Sequence, residues 1–472
     1  MVSVLLANAP YSLEERYGKL ATIGATLPNI GLLMLGAVLR KAGYNVKILD
    51  ASALGLNYDE TIYEVKNFKP DIVGLSTLTP LINRTVKLSK KIKSIFPEVP
   101  IIIGGAHITA IPEETLKNQC FDYGVIGEGE VTIVELVEKL ASNQPVHNIK
   151  GIVFRENSRI RITDTRPPIP DIDTLPFPAW EMLEDFPENY HPAIFKYKKL
   201  PSTHIISSRG CPYRCIFCDT SVFSRNVRYH SPEYVLEMIT HLKNKFGIKE
   251  IIFEDDQFLA NKERVETICK NLIETRVNIS WCCSARVNSA NDINLLRLMK
   301  RAGCWQINYG IESGNQQILN NIKKGITLEQ IERAVTLTHK AGISAKGYFI
   351  FGSPQETEDT MQDTIQLAKR LPLDDISVFM MTPLPGSEIY ALADKYGFFE
   401  KEFDKMNILD IVFVPKGLSK EILLRYQKRL MKEFYLRPRI ILNYLLKILF
   451  NPLLVNDMVK AFAGFIRYVF KF

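Results

Sequence analysis

Short apolar runs alternate with amphipathic stretches along most of the chain. In the first part the strand-like runs are Val2–Ala7, Asn45–Leu49, Ile72–Ser76, Ile101–Ile103 and Tyr123–Ile126. Between them apolar residues recur at helical spacing near Ile30–Ala42, Glu60–Phe68, Leu81–Ile95, Pro112–Lys117 and Val131–Leu140. Short, fully apolar strands separated by helices predict a parallel sheet covered on both faces. Five of them fit an α/β, flavodoxin-like doubly wound domain over residues 1–145, with its ligand beyond the carboxyl ends of the strands.

The pattern breaks at the proline-dense Arg166–Pro178, which can be neither a regular helix nor a central strand. Residues 146–200 therefore read as an inter-domain linker. A second alternating series follows, with strand candidates His204–Ser207, Glu250–Glu254, Ile279–Ala285, Gln306–Tyr309, Ala345–Phe351 and Asp375–Met381. The helices Pro232–Asn244, Lys262–Glu274, Ile293–Ala302, Leu328–Ala341 and Glu358–Leu371 intervene. Six such units predict a partial (β/α)6 barrel of the TIM type over 201–395, with chemistry at the C-terminal ends of its strands.

Residues 396–472 read as a helical C-terminal region. From about Leu436 to Phe472 it turns rich in Leu, Ile and Phe, with six Lys/Arg against one Asp, a net of 6 − 1 = +5. Lys447, Pro452, Asp457, Lys460 and Arg467 interrupt the apolar runs, which are too short to span a bilayer. Amphipathic helices lying on a membrane surface and helices packed on the barrel are both open readings.

Composition narrows the function. The 472 residues suffice for two or three domains, and 46% hydrophobic with 24% charged residues is the balance of a folded protein. The net charge of +7 is small and its cations are scattered, which points away from nucleic acid. Three of the eight cysteines lie within residues 211–218, while Cys120, Cys269, Cys282, Cys283 and Cys304 are dispersed. That usage fits a reducing cytoplasm and one metal site with buried thiols elsewhere. The start, Met1–Pro10, lacks a basic segment and reads as a first strand rather than a signal peptide.

The cysteine loop Ser207–Asp219 follows a strand and precedes a helix. Thiolates are soft anionic iron ligands, and Cys211, Cys215 and Cys218 at spacings of three and two intervening residues can wrap one face of a [4Fe–4S] cube. No fourth cysteine is near, so one iron stays open to chelate the amino and carboxylate groups of a methionine moiety. The alternative is a closed zinc site completed by His204 and His230.

Cys211-x3-Cys215-x2-Cys218, with Phe217 before the last cysteine, resembles the radical S-adenosylmethionine (SAM) superfamily. Phe253–Phe258, Gly310–Gly314, Phe349–Thr357 and Pro383–Ser387 are similar to its later segments and stand in the same order. The resemblance implies that Asp255 and Asp256 receive the methionine ammonium, that Glu312 accepts from ribose hydroxyls, and that Phe217 lies against adenine. Ser284 and Arg286 are candidates for the same pocket. Each has a plainer reading: helix capping for the aspartates, solvent for Glu312, core packing for Phe217.

The N-terminal domain lacks G-x-G-x-x-G after its first strand, where Asn8–Ser12 stand instead, so a nicotinamide role loses its support. Small residues close the later strands: Ser76-Thr-Leu-Thr79, Gly104-Gly-Ala-His107 and Gly127-Glu-Gly-Glu130. With Pro28–Gly31 and Arg40–Tyr44, this resembles the cobalamin-binding domain of one large radical SAM subgroup, extending the likeness over about residues 1–390. It implies cobalamin contacts from Ser76, Thr77, Thr79, Gly104, Gly105, His107, Gly127 and Glu128. The D-x-H-x-x-G loop of other cobalamin proteins is absent, so a histidine from that loop does not hold the lower face. A scaffold without cofactor is the alternative.

The subgroup implies methyl transfer to an unactivated carbon, or a radical cyclisation, rearrangement or coupling as in the anaerobic magnesium-protoporphyrin monomethyl ester cyclase. It also implies a small-molecule substrate and an external one-electron reductant of the flavodoxin or ferredoxin type. The apolar, basic tail points to a lipid, isoprenoid or tetrapyrrole substrate met at a membrane surface. A methylthiotransferase needs a second three-cysteine set, and residues 1–200 hold only Cys120. An iron–sulfur sensor or scaffold is the non-enzymatic rival.

Overall fold

The structure is a computed structural model. It describes residues 1–450 except 19, 20, 22, 23, 194, 195 and 408, together with 455, 459 and 464.

The first sheet is built from β1 (Ser3–Asn8), β2 (Asn45–Leu49), β3 (Ile72–Ser76), β4 (Ile101–Gly104) and β5 (Tyr123–Val125), all parallel, in spatial order β2-β1-β3-β4-β5. Side chains alternate along β1. Val4 and Leu6 join one core with Ile72 and Ile102, while Leu5 and Ala7 join another with Val73, Leu75, Ile101 and Ile103. Both faces are thus buried, which is why these strands are apolar throughout. Helix starts carry their own signals: Asn29 accepts from the Leu32 N–H, and Asn57 and Glu60 form a capping box.

Two further strands correct the linker. β6 (Ile152–Glu156) pairs antiparallel with β5, and β7 (Arg159–Ile162) pairs antiparallel with β6, so the sheet continues to residue 162. The proline-dense stretch after them is a strap fixed at both ends. Ala179 N–H donates to Leu33 O at 3.2 Å, Trp180 is fully buried, and Asp173 accepts from Ser231 N–H at 3.1 Å. It touches both domains, the second at Ser231 and the first at Leu33.

The second sheet holds six parallel strands: β8 (Ser202–Ile205), β9 (Glu250–Phe253), β10 (Ser280–Ala285), β11 (Cys304–Glu312), β12 (Ser344–Phe351) and β13 (Asp375–Met380), in sequential order. This is the expected partial barrel. Trp281, Cys283, Ile307, Tyr309, Ala345 and Phe349 face the helices. The alternate positions face the lumen, where the register sets Ser284, Asn308, Lys346 and Asp375 side by side.

The helix Lys420–Tyr435 lies against the helix Glu358–Arg370 and buries Leu423, Leu430 and Phe434. The next helix, Pro438–Phe450, buries Ile440 but exposes Ile441, Leu442, Leu445 and Leu446. Among the described residues no helix is long and apolar enough to cross a membrane. Most of the expected tail beyond residue 450 lies outside the described residues.

Candidate active site

The cysteine loop leaves the C-terminal end of β8 and is held from several sides. Ile216 N–H donates to Ile322 O at 3.1 Å and Ile389 N–H to Ile216 O at 2.9 Å. Gly386, in the Pro383–Ser387 segment, lies so close that a Cβ there would sit 2.5 Å from Asp219 Oδ1. That segment thus closes on the residue after the last cysteine. A short ladder pairs Ser208–Arg209 with Arg228–Tyr229, and Gly210, at φ 91°, lets the backbone pass close to Asn226 O.

Two cations stand over the loop. Arg286 Nη1 donates to Cys215 Sγ at 3.4 Å and its guanidinium lies 3.6 Å from the Tyr213 ring centroid. Lys324 Nζ pairs with Glu312 Oε1 at 2.6 Å, both buried, and sits 5.8 Å from the Phe217 ring centroid. A hydrogen bond from Cys218, then Lys324 and Arg286, pull the Cys215 thiol down to about 6 against its burial. Burial raises the Cys211 thiol, and Asp256 adds to it. A loop of cysteines bordered by two fixed cations is the donor set an anionic thiolate cluster requires. His230, offered for zinc, is committed elsewhere: Nδ1 meets Asp173 Oδ1 at 2.8 Å and the ring stacks on Tyr234 at 4.0 Å. Among the described residues no three His, Cys, Asp or Glu side chains gather closely enough for a single ion.

The two candidate aspartates part company. Asp255 is buried and accepts from Ser207 N–H at 2.6 Å, Ser207 Oγ at 2.6 Å and Ser208 Oγ at 2.9 Å. Its carboxylate is spent on the approach to the cysteine loop. Asp256 is exposed and near enough to Cys211 to raise its thiol, so it is the carboxylate open to a ligand there. Glu312 ends β11 at a register shift, in a left-handed backbone of φ 64° that non-glycine residues adopt rarely. Ser284 is half-buried on the lumen side of β10, and Arg286 follows its end.

In the first sheet, Ser76, Gly104 and Gly127 lie at or beyond the carboxyl ends of β3, β4 and β5. A Cβ on Gly104 would meet nothing within 4 Å, and one on Gly127 only Val222 O at 3.9 Å. Val222 lies four residues past Cys218, so the turn after β5 approaches the segment that follows the cysteine loop. Gly105, at φ 109°, is a true requirement: a Cβ would fall 2.4 Å from Thr77 O. His107 is buried, with Nδ1 3.2 Å from Thr79 Oγ1 and its ring edge-on to Phe403; burial lowers it to about 4, so it is neutral near neutral pH. Glu128 points elsewhere, pairing with Arg228 and accepting from Ile169 N–H at 3.0 Å.

Residues absent from the sequence reading complete the site. Lys324 follows another lysine after a short helix and carried no signal. Tyr213 is held by Asn288 Nδ2 at 3.2 Å as well as by Arg286. Arg264 Nη2 donates to Ser207 O at 2.9 Å, from a helix more than fifty residues away.

Residues 18–137 match the family described as the B12 binding domain, and residues 205–368 the Radical SAM superfamily. An uncharacterized methyltransferase of Pyrococcus horikoshii is 35% identical over 427 residues, covering 89% of this chain and 90% of that one. The anaerobic magnesium-protoporphyrin IX monomethyl ester cyclase of Rubrivivax gelatinosus is 28% identical over 430 residues, 88% of this chain and 76% of that one. The structure of the radical SAM methyltransferase TsrM from Kitasatospora setae, with tryptophan and a SAM analogue bound, superposes with a TM-score of 0.70 at 17% identity over 93% of this chain and 90% of that one. The cobalamin-dependent SAM radical enzyme OxsB, with aqua-cobalamin and SAM bound, gives 0.67 at 21% identity over 78% of this chain. This chain spans 52% of that one. At these identities the two structures speak for the fold alone.

Proposed function

The chain belongs to the cobalamin-dependent radical SAM enzymes, whose cofactors are a [4Fe–4S] cluster, SAM and cobalamin, and on that premise we propose that it methylates an unactivated carbon of a small, largely apolar substrate. When bound, the cluster supplies the electron that splits SAM into methionine and a 5′-deoxyadenosyl radical, and cobalamin supplies a methyl carrier or an electron relay.

The residues take these roles. Cys211, Cys215 and Cys218 hold the cluster, and Arg286 and Lys324 offset thiolate charge. Asp256 receives the methionine ammonium, Glu312 accepts from ribose while Lys324 fixes its carboxylate, and Phe217 and Ser284 wall the adenosine. Asp255 positions the loop instead. Ser76, Thr77, Thr79, Gly104, Gly105, His107 and Gly127 cradle the corrinoid and its tail. The observation that supports this reading is the open backbone at Gly127 beside the segment that follows Cys218, where a Cβ would meet only Val222 O, at 3.9 Å.

The test is anaerobic reconstitution of the full chain with iron, sulfide and hydroxocobalamin. The expected result is about four irons and about one corrinoid per chain, with 5′-deoxyadenosine formed from SAM on reduction. The Cys211→Ala, Cys215→Ala, Cys218→Ala triple variant should lose iron and SAM cleavage but keep corrinoid. Iron without corrinoid would remove cobalamin from the reading, and no 5′-deoxyadenosine under any reductant would favour a sensor.

Likeness to the Rubrivivax cyclase supports a second reading, ring closure or coupling. SAM with a deuterated methyl group separates them, since only methyl transfer carries deuterium into product. We further propose a cytoplasmic enzyme reduced by a flavodoxin or ferredoxin and meeting a lipid, isoprenoid or tetrapyrrole at a membrane surface through residues 436–472.

A further inference from the structure

The turn after β5 and the approach to the cysteine loop are joined by a buried four-charge cluster. Glu128 and Glu130 come from the turn Gly127–Glu130. Arg209 stands two residues before Cys211, and Arg228 lies opposite it in the short ladder. Arg209 Nη2 pairs with Glu130 Oε1, and Arg209 Nη1 lies 3.6 Å from Glu128 Oε2. Arg228 grips Glu128 with both terminal nitrogens, Nη1 at 3.0 Å, and that same nitrogen donates to Ile169 O at 2.7 Å in the proline-dense strap. Arg228 Nη2 also donates to Phe223 O at 3.1 Å, inside the segment that follows Cys218. All four side chains are no more than 7% exposed.

Such a cluster is a poor source of stability, because desolvating four charges offsets much of their attraction. What two guanidinium forks supply is geometry, since each fixes direction as well as distance. Here the geometry is that of one turn of the first sheet against both ends of the cysteine loop: Arg209 before it, Phe223 and Arg228 after it. Gly127 sits at φ 77°, and a Cβ on Gly129 would lie 3.1 Å from Leu35 Cδ2, so the turn also packs closely on the first domain.

We propose that Glu128, Glu130, Arg209 and Arg228 form a positioning clasp, through which a ligand at Gly104 and Gly127 orders the cysteine loop in the other domain. The inference rests on the cobalamin reading above and adds to it the path by which the two cofactor regions keep one spacing. Glu130 and Arg209 pair with each other and act through the loops they join.

Hydrogen–deuterium exchange on the cluster-reconstituted full chain tests it, with hydroxocobalamin as the probe. In the native protein hydroxocobalamin should slow exchange over 208–229 by about tenfold, a coupling of ordinary size. In the paired variant Glu130→Leu with Arg209→Met, which removes the charges and keeps apolar volume, hydroxocobalamin should still bind within about twofold while that slowing disappears. Retained slowing in the variant, or native binding with no slowing over 208–229, overturns the clasp and leaves the cobalamin reading intact. If the native chain binds no hydroxocobalamin, both fall together, and the missing corrinoid absorption distinguishes this result. Should the paired variant not fold, Arg209→Lys keeps the charge without the fork. It is expected to weaken the slowing, and undiminished slowing there also overturns the proposal.

Discussion

Glu356 lies beyond the end of β12, wholly buried. Burial lifts its carboxyl to about 8, opposed only by the Ser353 and Gly352 N–H groups that Oε2 accepts. Its reference value is 4.5. Between these two values the folded chain keeps a proton that the unfolded chain releases. Glu356 therefore contributes stability that is fully present below about 4.5 and lost as pH rises through about 8. Glu356→Gln keeps an acceptor for both N–H groups and cannot ionise. Urea denaturation at about pH 5 and about pH 8 should show a smaller fall in stability for the variant than for the native chain, by a few kcal/mol. Equal falls would mean that Glu356 is not the group responsible. A second residue is under steric constraint: a Cβ on Gly310 would sit 2.5 Å from Glu312 Oε1 and 2.7 Å from Lys324 Nζ. Gly310→Ala should push that buried pair apart and cost about 1–3 kcal/mol. Isothermal titration should show weaker SAM binding as well, because Glu312 no longer stands where Lys324 fixes it.

At the scale of elements, the sequence was readable wherever one segment carried its own pattern. β1, β3 and β4 are apolar on both faces, and the cysteine loop announces itself by spacing. The hairpin β6–β7 carries little pattern of its own: Arg159–Ile162 is an edge strand with three of its four residues exposed, and it is β6 that pairs with both β7 and β5. The setting of Asp255 is hidden in the sequence for a related reason. Its partners Ser207 and Ser208 lie 48 and 47 residues away, and only folding brings them together. The pairing of Glu128 with Arg228 spans 100 residues and was equally hidden. Glycines at strand ends, by contrast, carried real information, and Gly105 allows a direct check. A side chain there meets both an unfavourable φ of 109° and the Thr77 carbonyl at 2.4 Å. Gly105→Ala should separate the β3 and β4 turns and weaken hydroxocobalamin binding by about tenfold or more, an effect of one to two kcal/mol. Cleavage of SAM by the barrel should persist. Unchanged affinity in difference spectra would take this turn out of the corrinoid site.

For the whole molecule, the question is where an apolar substrate would meet this site. The barrel is covered by the helix Lys420–Tyr435, whose Gln427 Nε2 donates to Val378 O at 2.9 Å, so that helix is part of the folded body. The following helix, Pro438–Phe450, differs in kind. It is anchored by Ile440, while Ile441, Leu442, Leu445 and Leu446 form an exposed stripe at helical spacing. Arg437, which donates to Lys369 O at 2.6 Å, and Arg439, 3.4 Å from Asp374 Oδ1, stand at its start, in a tail of net charge +5 from residue 436 onward. An apolar stripe with basic flanks matches an anionic lipid surface, where burial of the leucines and attraction to headgroups add. The full chain should therefore float with vesicles containing phosphatidylserine or phosphatidylglycerol, lose most of that binding in high salt, and bind neutral vesicles weakly. A chain ending at Leu436 keeps the barrel-packed helix and should remain unbound, with its cofactor content and SAM cleavage unchanged. If both chains float alike, the contact lies elsewhere. If neither floats, the leucine stripe faces something other than lipid.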